Sequence, residues 1–280
     1  MWFFGQGPIV PVLRFSGPIG MATPLRPGLA IGHAASAIEK AFELSKTPAV
    51  ALLINSPGGS AVQSSLIFRR VRQLAEEKKK RVYVFCEDIA ASGGYYLAVA
   101  GDEIYADASS IVGSIGVIFS GFGFAKAIDK LGIERRVYTA GTNKDALDPF
   151  RPERPEDVER IKSVQRDVHD VFIGIVKERR AGRLTGTDAE LFSGAFWSGP
   201  KALELGLIDG ISDVRSKMRE IFGAKVRLRL VPLDKGGLLS RLRRSSSAVG
   251  YEELTSPRLA FAEDLISAVE ARALWSRFGL

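Results

Sequence analysis

The chain has 280 residues, enough for one large domain or two small ones, and its single cysteine excludes an intrachain disulfide and a cysteine-rich metal site. A hydrophobic content of 46% with 25% charged residues is typical of a globular protein that buries a full core. The net charge of +7 is modest and favours solvated basic surface or peripheral contact with an anionic membrane. No nucleic-acid motif accompanies it, so a nucleic-acid partner is not expected.

Strand-like and helix-like segments alternate along the first part of the chain. Short apolar runs predict strands, and apolar residues at helical spacing predict helices. In chain order these segments are Ile9–Phe15 (strand), Gly32–Leu44 (helix), Ala49–Ile54 (strand), Ser60–Lys80 (helix), Val82–Cys86 (strand), Gly94–Ala100 (helix) and Glu103–Tyr105 (strand). Such alternation predicts an α/β fold with a mostly parallel sheet.

The character of the chain changes near residue 221. Before it, Glu156–Arg180 predicts a long, charged amphipathic helix, and after it Lys225–Leu233 predicts an exposed strand. Asp234–Thr255 has the composition of a basic linker, and Pro257–Phe278 predicts a helix that either docks or binds a partner or a membrane surface. This helix presents one apolar face at four-residue steps, formed by Phe261, Leu265 and Val269. We therefore expect a main domain over 1–220 and a C-terminal part over 221–280 made of strand, linker and amphipathic helix.

Membrane-spanning and secretory segments are not evident. No run approaches the roughly 18–20 uninterrupted apolar residues that a spanning helix needs. The aromatic start, Met1–Arg14, lacks a basic region followed by a continuous apolar stretch, so it does not predict a signal peptide. These features predict a cytoplasmic or peripherally membrane-associated protein.

Two glycine-rich turns follow predicted strands and precede predicted helices. In the first, Ile54–Ser60, the glycines leave backbone N–H groups free to face a cleft, where they suit a developing oxyanion. In the second, Ala90–Tyr96, Ser92 lies among alanine and glycine, and Gly93 offers its own N–H group. An ordinary strand–helix turn in the first case and a helix-capping serine in the second are the alternatives.

A nucleophilic serine needs a base. The chain has two histidines, and both His33 and His169 lie in helical segments, which favours structural or surface roles. Lysine is the known alternative base, and it acts only when burial disfavours its ammonium form. Lys144 lies in the polar segment Ala140–Asp145, and composition alone would make it a solvated lysine.

Five motifs in order give the chain its resemblance to a known family. They are INSPGGS (54–60), ASGGYY (91–96), GSIGV (113–117), GTNKD with DPFR (141–151) and FWSGPKALELGLIDGI (196–211). Over Pro8–Val214 the chain resembles the signal peptide peptidase A family of serine peptidases, in its short, single-copy form. The resemblance implies a Clp/crotonase-like α/β superfold with repeated ββα units, a connecting helical arm, and a peptidase domain over 1–220.

The resemblance also implies the roles of individual residues. It implies that Ser92 is the nucleophile, Lys144 the general base and Ser114 a residue that orients the base. The backbone N–H groups of Gly59 and Gly93 match the oxyanion-hole positions. No metal or organic cofactor is implied, and the family's common membrane anchor is not seen in this sequence.

The implied function is endopeptidase cleavage of hydrophobic peptides, such as remnant signal peptides, through an acyl-enzyme. We further expect a homo-oligomer whose active sites are shared between subunits, because the tandem form of the family supplies Ser and Lys from different halves. Two other functions use the same superfold or surface. One is an acyl-CoA enzyme of the crotonase class with Glu87 and Asp88 as acid/base candidates, and the other is a non-catalytic peptide-binding module.

Overall fold

The computed structural model of the chain describes residues 7–20, 28–233, 269 and 272–280. The strands are β1 (Ile9–Ser16), β2 (Ala49–Ser56), β3 (Arg81–Ala91), β4 (Glu103–Ala106), β5 (Ile111–Gly113), β6 (Phe196–Ser198), β7 (Gly210–Ile211) and β8 (Arg227–Leu230). The helices are α1 (Ile31–Glu43), α2 (Ala61–Glu77), α3 (Gly93–Ala98), α4 (Ala125–Lys130), α5 (Pro155–Arg179), α6 (Asp188–Leu191), α7 (Gly199–Glu204) and α8 (Val214–Phe222).

The eight strands of the described residues belong to one branched sheet. The main path runs β6-β5-β3-β2-β1-β8, and every pairing is parallel except the antiparallel pair β5–β6. The branch arises because β3 is 11 residues long. Its first half pairs with β4, which continues to β7, and its last three residues pair with β5. β3 therefore extends beyond its pairing with β4, and its last residues lie beside the end of β5.

Side chains of the central strands alternate between two apolar layers, as the period of two in a strand requires. In β2, Val50, Leu52 and Ile54 enter the larger core cluster, whereas Ala49 and Ala51 enter the smaller one. Helices α1, α2 and α3 contribute to the larger cluster, and α8 contributes to the smaller one. Both faces of the central strands are thus covered, which explains why these strands are almost uniformly apolar.

The predicted α/β class with a mostly parallel sheet is confirmed. The strand predicted in Lys225–Leu233 is β8, which pairs with β1 in the main sheet. The predicted linker Asp234–Thr255 lies outside the described residues, as do Phe261 and Leu265 of the predicted C-terminal helix. Of that helix, residues 272–276 are helical in the described part. The division of the chain at residue 220 stays a prediction.

Between β5 and α5 the chain forms an exposed arm, residues 117–154. Its regular structure is the short helix α4, none of whose residues is buried. Apolar side chains are exposed along it, with Phe122 at 81% and Tyr138 at 90% of their full accessibility. The arm therefore adds little to the core, and its apolar surface is exposed among the residues that the structure describes.

Candidate active site

Three strands end side by side and bring three motifs together. Ser56, the last residue of β2, is in register with Ala90 of β3, and Ala91 is in register with Gly113, the last residue of β5. Because these strands are parallel, the turns that follow them lie at one edge of the sheet. This is the edge at which open α/β sheets bind ligands.

The first turn after β2 requires glycine. Gly59 has a φ of +140°, and a methyl group at this position would lie 2.2 Å from the carbonyl oxygen of Ile19. Gly58 has a φ of +103°, and a methyl group there would lie 2.8 Å from Cβ of Ser92. The absence of these side chains is what lets the turn contact both Ile19 and the serine turn that follows β3.

The two serines of the glycine turn have structural roles. Ser56 donates its hydroxyl to the carbonyl oxygen of Gly17 at 2.7 Å and accepts from the N–H of Gly58 at 3.2 Å. Ser60 is the N-cap of α2, where its hydroxyl accepts from the N–H of Gln63 at 3.3 Å. Both hydroxyls are thus engaged in holding the turn and the start of α2.

Ser92 occupies the N-cap position of α3 but its side chain does not cap the helix. The backbone has φ 53° and ψ −121°, and the hydroxyl makes no capping hydrogen bond. This conformation is strained for a residue other than glycine, and such strain concentrates at functional positions. Two backbone bonds hold it: Ser92 donates to the carbonyl oxygen of Gly113 at 2.8 Å and accepts from the N–H of Tyr96 at 2.9 Å. The alternative of a capping serine is therefore wrong.

The N–H groups of Gly59 and Gly93 belong to two neighbouring turns that lie in close contact. A methyl group on Gly93 would lie 3.3 Å from the nitrogen of Gly59 and 2.6 Å from Oγ of Ser64, and one on Gly58 would lie 2.9 Å from the nitrogen of Gly93. Among the described residues, neither N–H donates to a protein acceptor. Two unpaired donors so placed suit an oxyanion.

Ser114 follows β5 as Ser92 follows β3. Its φ is 54°, its side chain is buried, and its N–H donates to the carbonyl oxygen of Ala195 at 2.6 Å. The N–H of Gly116 in turn donates to the carbonyl oxygen of Ser114 at 3.0 Å. These bonds fix Ser114 at the same edge of the sheet as Ser92.

A cavity of about 420 Å³ is lined by these predicted site residues, namely Ser92, Gly93, Gly59 and Ser114. One wall comes from α5, which contributes Val168, His169 and Phe172, and another from the C-terminal residues Leu274, Arg277 and Phe278. The cavity combines a few convergent polar groups with apolar walls, as ligand sites usually do.

The cavity wall on α5 was not predicted from the sequence. His169 was interpreted as structural or surface, yet it lines the cavity, and its Nε2 lies 3.0 Å from the carbonyl oxygen of Ile115. Phe172 stacks on Tyr96 of α3 with ring centroids 4.9 Å apart. The four-residue spacing of Val168, Phe172 and Val176 was the available signal, since it marks the face of α5 that turns inward.

Lys144 is not among the residues that line this cavity. It lies on the exposed arm, and its N–H donates to the carbonyl oxygen of Gly141 at 3.2 Å in a turn. Within the described residues Lys144 forms no ion pair. The structure of one chain thus brings together Ser92, Ser114 and the two glycines but not Lys144.

The carboxylates suggested for crotonase-type chemistry are engaged elsewhere. Glu87 forms an ion pair with Arg14 at 2.9 Å, and Asp88 accepts a hydrogen bond from Asn55 at 2.6 Å. Neither lines the cavity. The described residues also contain no group of three or more His, Cys, Asp and Glu side chains arranged to hold a metal ion.

Comparison with known proteins identifies the family. Residues 74–225 match the sequence model of peptidase family S49. The chain belongs to this family. Membership supports a serine peptidase, confirms the resemblance to the signal peptide peptidase A family, and agrees with the Clp/crotonase-like α/β fold.

Similar proteins include other S49 members with peptidase names. The chain is 33% identical over 242 residues to the chloroplastic serine protease SPPA of Arabidopsis thaliana, covering 85% of this chain and 34% of that protein. It is 33% identical over 177 residues to Protease 4 of Haemophilus influenzae, covering 62% of this chain and 28% of that protein.

A Brucella abortus protein named Na(+)/H(+) antiporter NhaA is 51% identical over 272 residues, covering 97% of this chain but 37% of that protein. The chain thus spans about a third of the length of the first relatives that it matches. Within the described residues of this S49 chain, no helix is both long and apolar enough to cross a bilayer. The antiporter name is that of the longer protein, of which the matched region covers 37%.

Proposed function

We propose that this S49 chain is a serine endopeptidase in which Ser92 is the nucleophile and Lys144, supplied by a neighbouring subunit, is the general base. Ser114 orients the lysine amine, and the N–H groups of Gly59 and Gly93 bind the oxyanion. The observation that carries the proposal is the uncapped, strained Ser92 in a cavity that it shares with two unpaired N–H donors.

The proposed reaction has two stages, acylation of Ser92 and hydrolysis of the resulting ester. The neutral Lys144 amine accepts the proton of Ser92 Oγ as that oxygen bonds to the carbonyl carbon of the peptide. The oxyanion accepts hydrogen bonds from Gly59 and Gly93. The resulting ammonium returns the proton to the leaving nitrogen as the C–N bond breaks, which leaves an ester on Ser92. Water, deprotonated by Lys144, then bonds to the carbonyl carbon of the ester, and the ammonium returns the proton to Ser92 Oγ as the ester C–O bond breaks.

The course of α5 supports a lysine from another subunit. His169, on α5, lines the cavity of Ser92, whereas Asp157, in the first turn of α5, binds Arg154 beside the loop of Lys144. Twelve residues separate Asp157 from His169, which is about 18 Å of helix and farther than a lysine side chain extends. A lysine held at the beginning of α5 is thus better placed to enter a neighbour's cavity than its own.

The exposed apolar surface of the arm supports assembly. Its exposed large apolar side chains are Val117, Ile118, Phe119, Phe122, Phe124, Leu131, Ile133 and Tyr138. An uncovered apolar surface of this kind is unusual for a monomer and typical of a contact region. Since the arm of one chain would meet the cavity of the next, the contact is head-to-tail, and a closed ring is its simplest symmetric outcome.

An extended hydrophobic peptide, such as a remnant signal peptide, is the proposed substrate. The cavity walls support this class, because Tyr96, Ile118, Val168 and Phe172 present apolar surface beside Ser92. A peptide with apolar side chains would bury that surface, which contributes about 25 cal/mol for each Å² removed from water.

The nucleophile is tested with a fluorophosphonate probe and peptide mass mapping. Wild type should be labelled on Ser92, whereas Ser92→Ala should show neither labelling nor peptide hydrolysis. Ser60→Ala is the matched control, because it changes a serine of the neighbouring turn whose role is to cap α2. Labelling of another residue, or full hydrolysis by Ser92→Ala, would contradict the proposal.

The shared site is tested by mixing inactive subunits. Ser92→Ala and Lys144→Ala should each be inactive alone. Co-assembled subunits should regain part of the wild-type activity, because some boundaries pair an intact Ser92 with an intact Lys144. Absence of regained activity after co-assembly is verified by native mass spectrometry would show that the site is not shared.

A further inference from the structure

The loop that carries Lys144 is enclosed by an ionic cluster, which we call the arm cluster. It consists of three aspartates and three arginines: Asp145, Asp148, Asp157, Arg135, Arg151 and Arg154. The carboxylates are nearly inaccessible, with side-chain exposures of 12% for Asp145, 5% for Asp148 and 3% for Asp157. Carboxylates this poorly exposed are normally found only when they are paired, as these three are.

Arg154 connects the lysine loop to α5. Its Nη2 lies 3.2 Å from Oδ1 of Asp145, the residue after Lys144, and its Nε lies 2.7 Å from Oδ2 of Asp157, in the first turn of α5. Arg151 forms a second ion pair with Asp145. One guanidinium thus joins two carboxylates through two nitrogens at a fixed spacing, which a lysine ammonium cannot reproduce.

A second contact closes the loop on its other side. Arg135 pairs with Asp148 at 2.9 Å and lies over the ring of Phe150 at 4.8 Å. Asp148 also accepts the N–H of Phe150 at 3.0 Å, and the Arg135 guanidinium holds the pKa of the Asp148 carboxyl below its usual value. Leu147, between the two pairs, has a φ of 57°, a conformation that is strained for a residue other than glycine.

Stability alone does not account for this arrangement. The arginines of the arm cluster remain 38–46% exposed, and ion pairs of that exposure contribute little to stability. The strain at Leu147 offsets part of that small contribution. What the cluster does supply is a set of fixed contacts that define one conformation of the loop.

We infer that Asp145 and Arg154 are positioning residues that hold the Lys144 loop against the first turn of α5, so that the amine enters a neighbouring subunit's cavity in one orientation. This inference rests on the proposed function of Lys144. The arginines also pair with the carboxylate of Asp145, so that carboxylate does not pair with Lys144. A carboxylate paired with Lys144 would favour the ammonium form of the lysine and oppose its use as a base.

The first test is the steady-state kinetics of Arg154→Gln. We expect kcat to fall about 10- to 100-fold, the size of effect that a displacement of about 1 Å produces, with KM and Tm close to wild type. Arg154→Lys should recover little of the loss, because it keeps the charge but not the two-nitrogen bridge. Arg136→Gln is the matched control, since Arg136 pairs on the same arm with Glu134 at 2.6 Å, outside the arm cluster. Wild-type kcat in Arg154→Gln, or full recovery in Arg154→Lys, would overturn the inference.

The second test assigns the defect to the lysine side of the boundary. Arg154→Gln subunits co-assembled with Ser92→Ala should regain activity, because Ser92→Ala supplies an intact arm. Co-assembly with Lys144→Ala should give no gain, because neither subunit then has a working lysine. Equal behaviour with both partners would indicate a general folding defect and overturn the inference. If Lys144→Ala alone is fully active, the proposed function fails. If Lys144→Ala is inactive while Arg154→Gln is normal, this inference alone fails.

Discussion

The backbone N–H of Ser92 donates a 2.8 Å hydrogen bond to the carbonyl oxygen of Gly113, and this bond joins the end of β3 to the end of β5. Gly113 immediately precedes Ser114, so the bond sets the spacing of the two serines at the edge of the sheet. Both serines have positive φ, near 53° and 54°. One backbone hydrogen bond therefore links Ser92 to the residue that precedes Ser114.

Ser114→Ala should lower kcat by about 10-fold without changing KM, because the hydroxyl is proposed to orient the base rather than to react. Steady-state kinetics on a peptide substrate measure the effect. Ser114→Gly is the matched control, because glycine accepts a φ of 54° freely. Equal losses in both variants would assign the effect to the hydroxyl, whereas wild-type kcat in Ser114→Gly would assign it to backbone strain and contradict the prediction.

Gly59→Ala should lower kcat by about 100- to 1,000-fold, the usual effect of losing one oxyanion donor. The added methyl would lie 2.2 Å from the carbonyl oxygen of Ile19, so the backbone has to move and takes the N–H with it. Gly182→Ala controls for backbone strain, since Gly182 has a φ of +74° with no atom within 4 Å of an added methyl. Its Tm should fall while its kcat stays unchanged. A normal kcat in Gly59→Ala would exclude this N–H from the oxyanion hole.

Lys144→Arg should be inactive, with kcat reduced by about 100- to 10,000-fold, because a guanidinium remains protonated and cannot accept the serine proton. Lys130→Arg is the control on the same arm, at the end of α4, and should be active. Substantial turnover by Lys144→Arg would remove Lys144 from the mechanism.

The sequence was most informative for site residues that lie in short motifs directly after predicted strands. Ser92 and the glycine turn at Gly59 each follow a buried strand, and parallel pairing brings such strand ends together. The cavity walls could not be predicted in this way, because His169 and Phe278 reach the cavity through packing of segments distant in sequence. The position of Lys144 relative to Ser92 could not be predicted from one chain either, because the surface that the lysine is proposed to contact belongs to a second copy.

Cys86 should be unreactive in the folded protein and irrelevant to catalysis. It is buried in the larger core cluster, and burial raises the pKa of its thiol to about 12 from an ordinary value of 9.0. At pH 8 the thiol is therefore protonated, and the thiolate is the species that reacts with alkylating reagents. We expect iodoacetamide to leave native activity and mass unchanged and to modify Cys86 once the chain is unfolded in urea. Loss of activity in wild type but not in Cys86→Ser would contradict this.

The same burial predicts how stability changes in alkaline solution. Because the folded state raises the pKa of Cys86, the unfolded chain releases this proton first as the pH rises above about 9, and it is then favoured over the folded chain. The stability contributed by the neutral thiol is present below pH 9 and is lost progressively toward pH 12. Cys86→Ala removes this one titration and leaves those of the tyrosines. Urea unfolding at pH 8 and pH 10.5 should therefore show a smaller loss of stability in Cys86→Ala than in wild type. An equal loss in both proteins would show that the Cys86 thiol titrates alike in the folded and unfolded states.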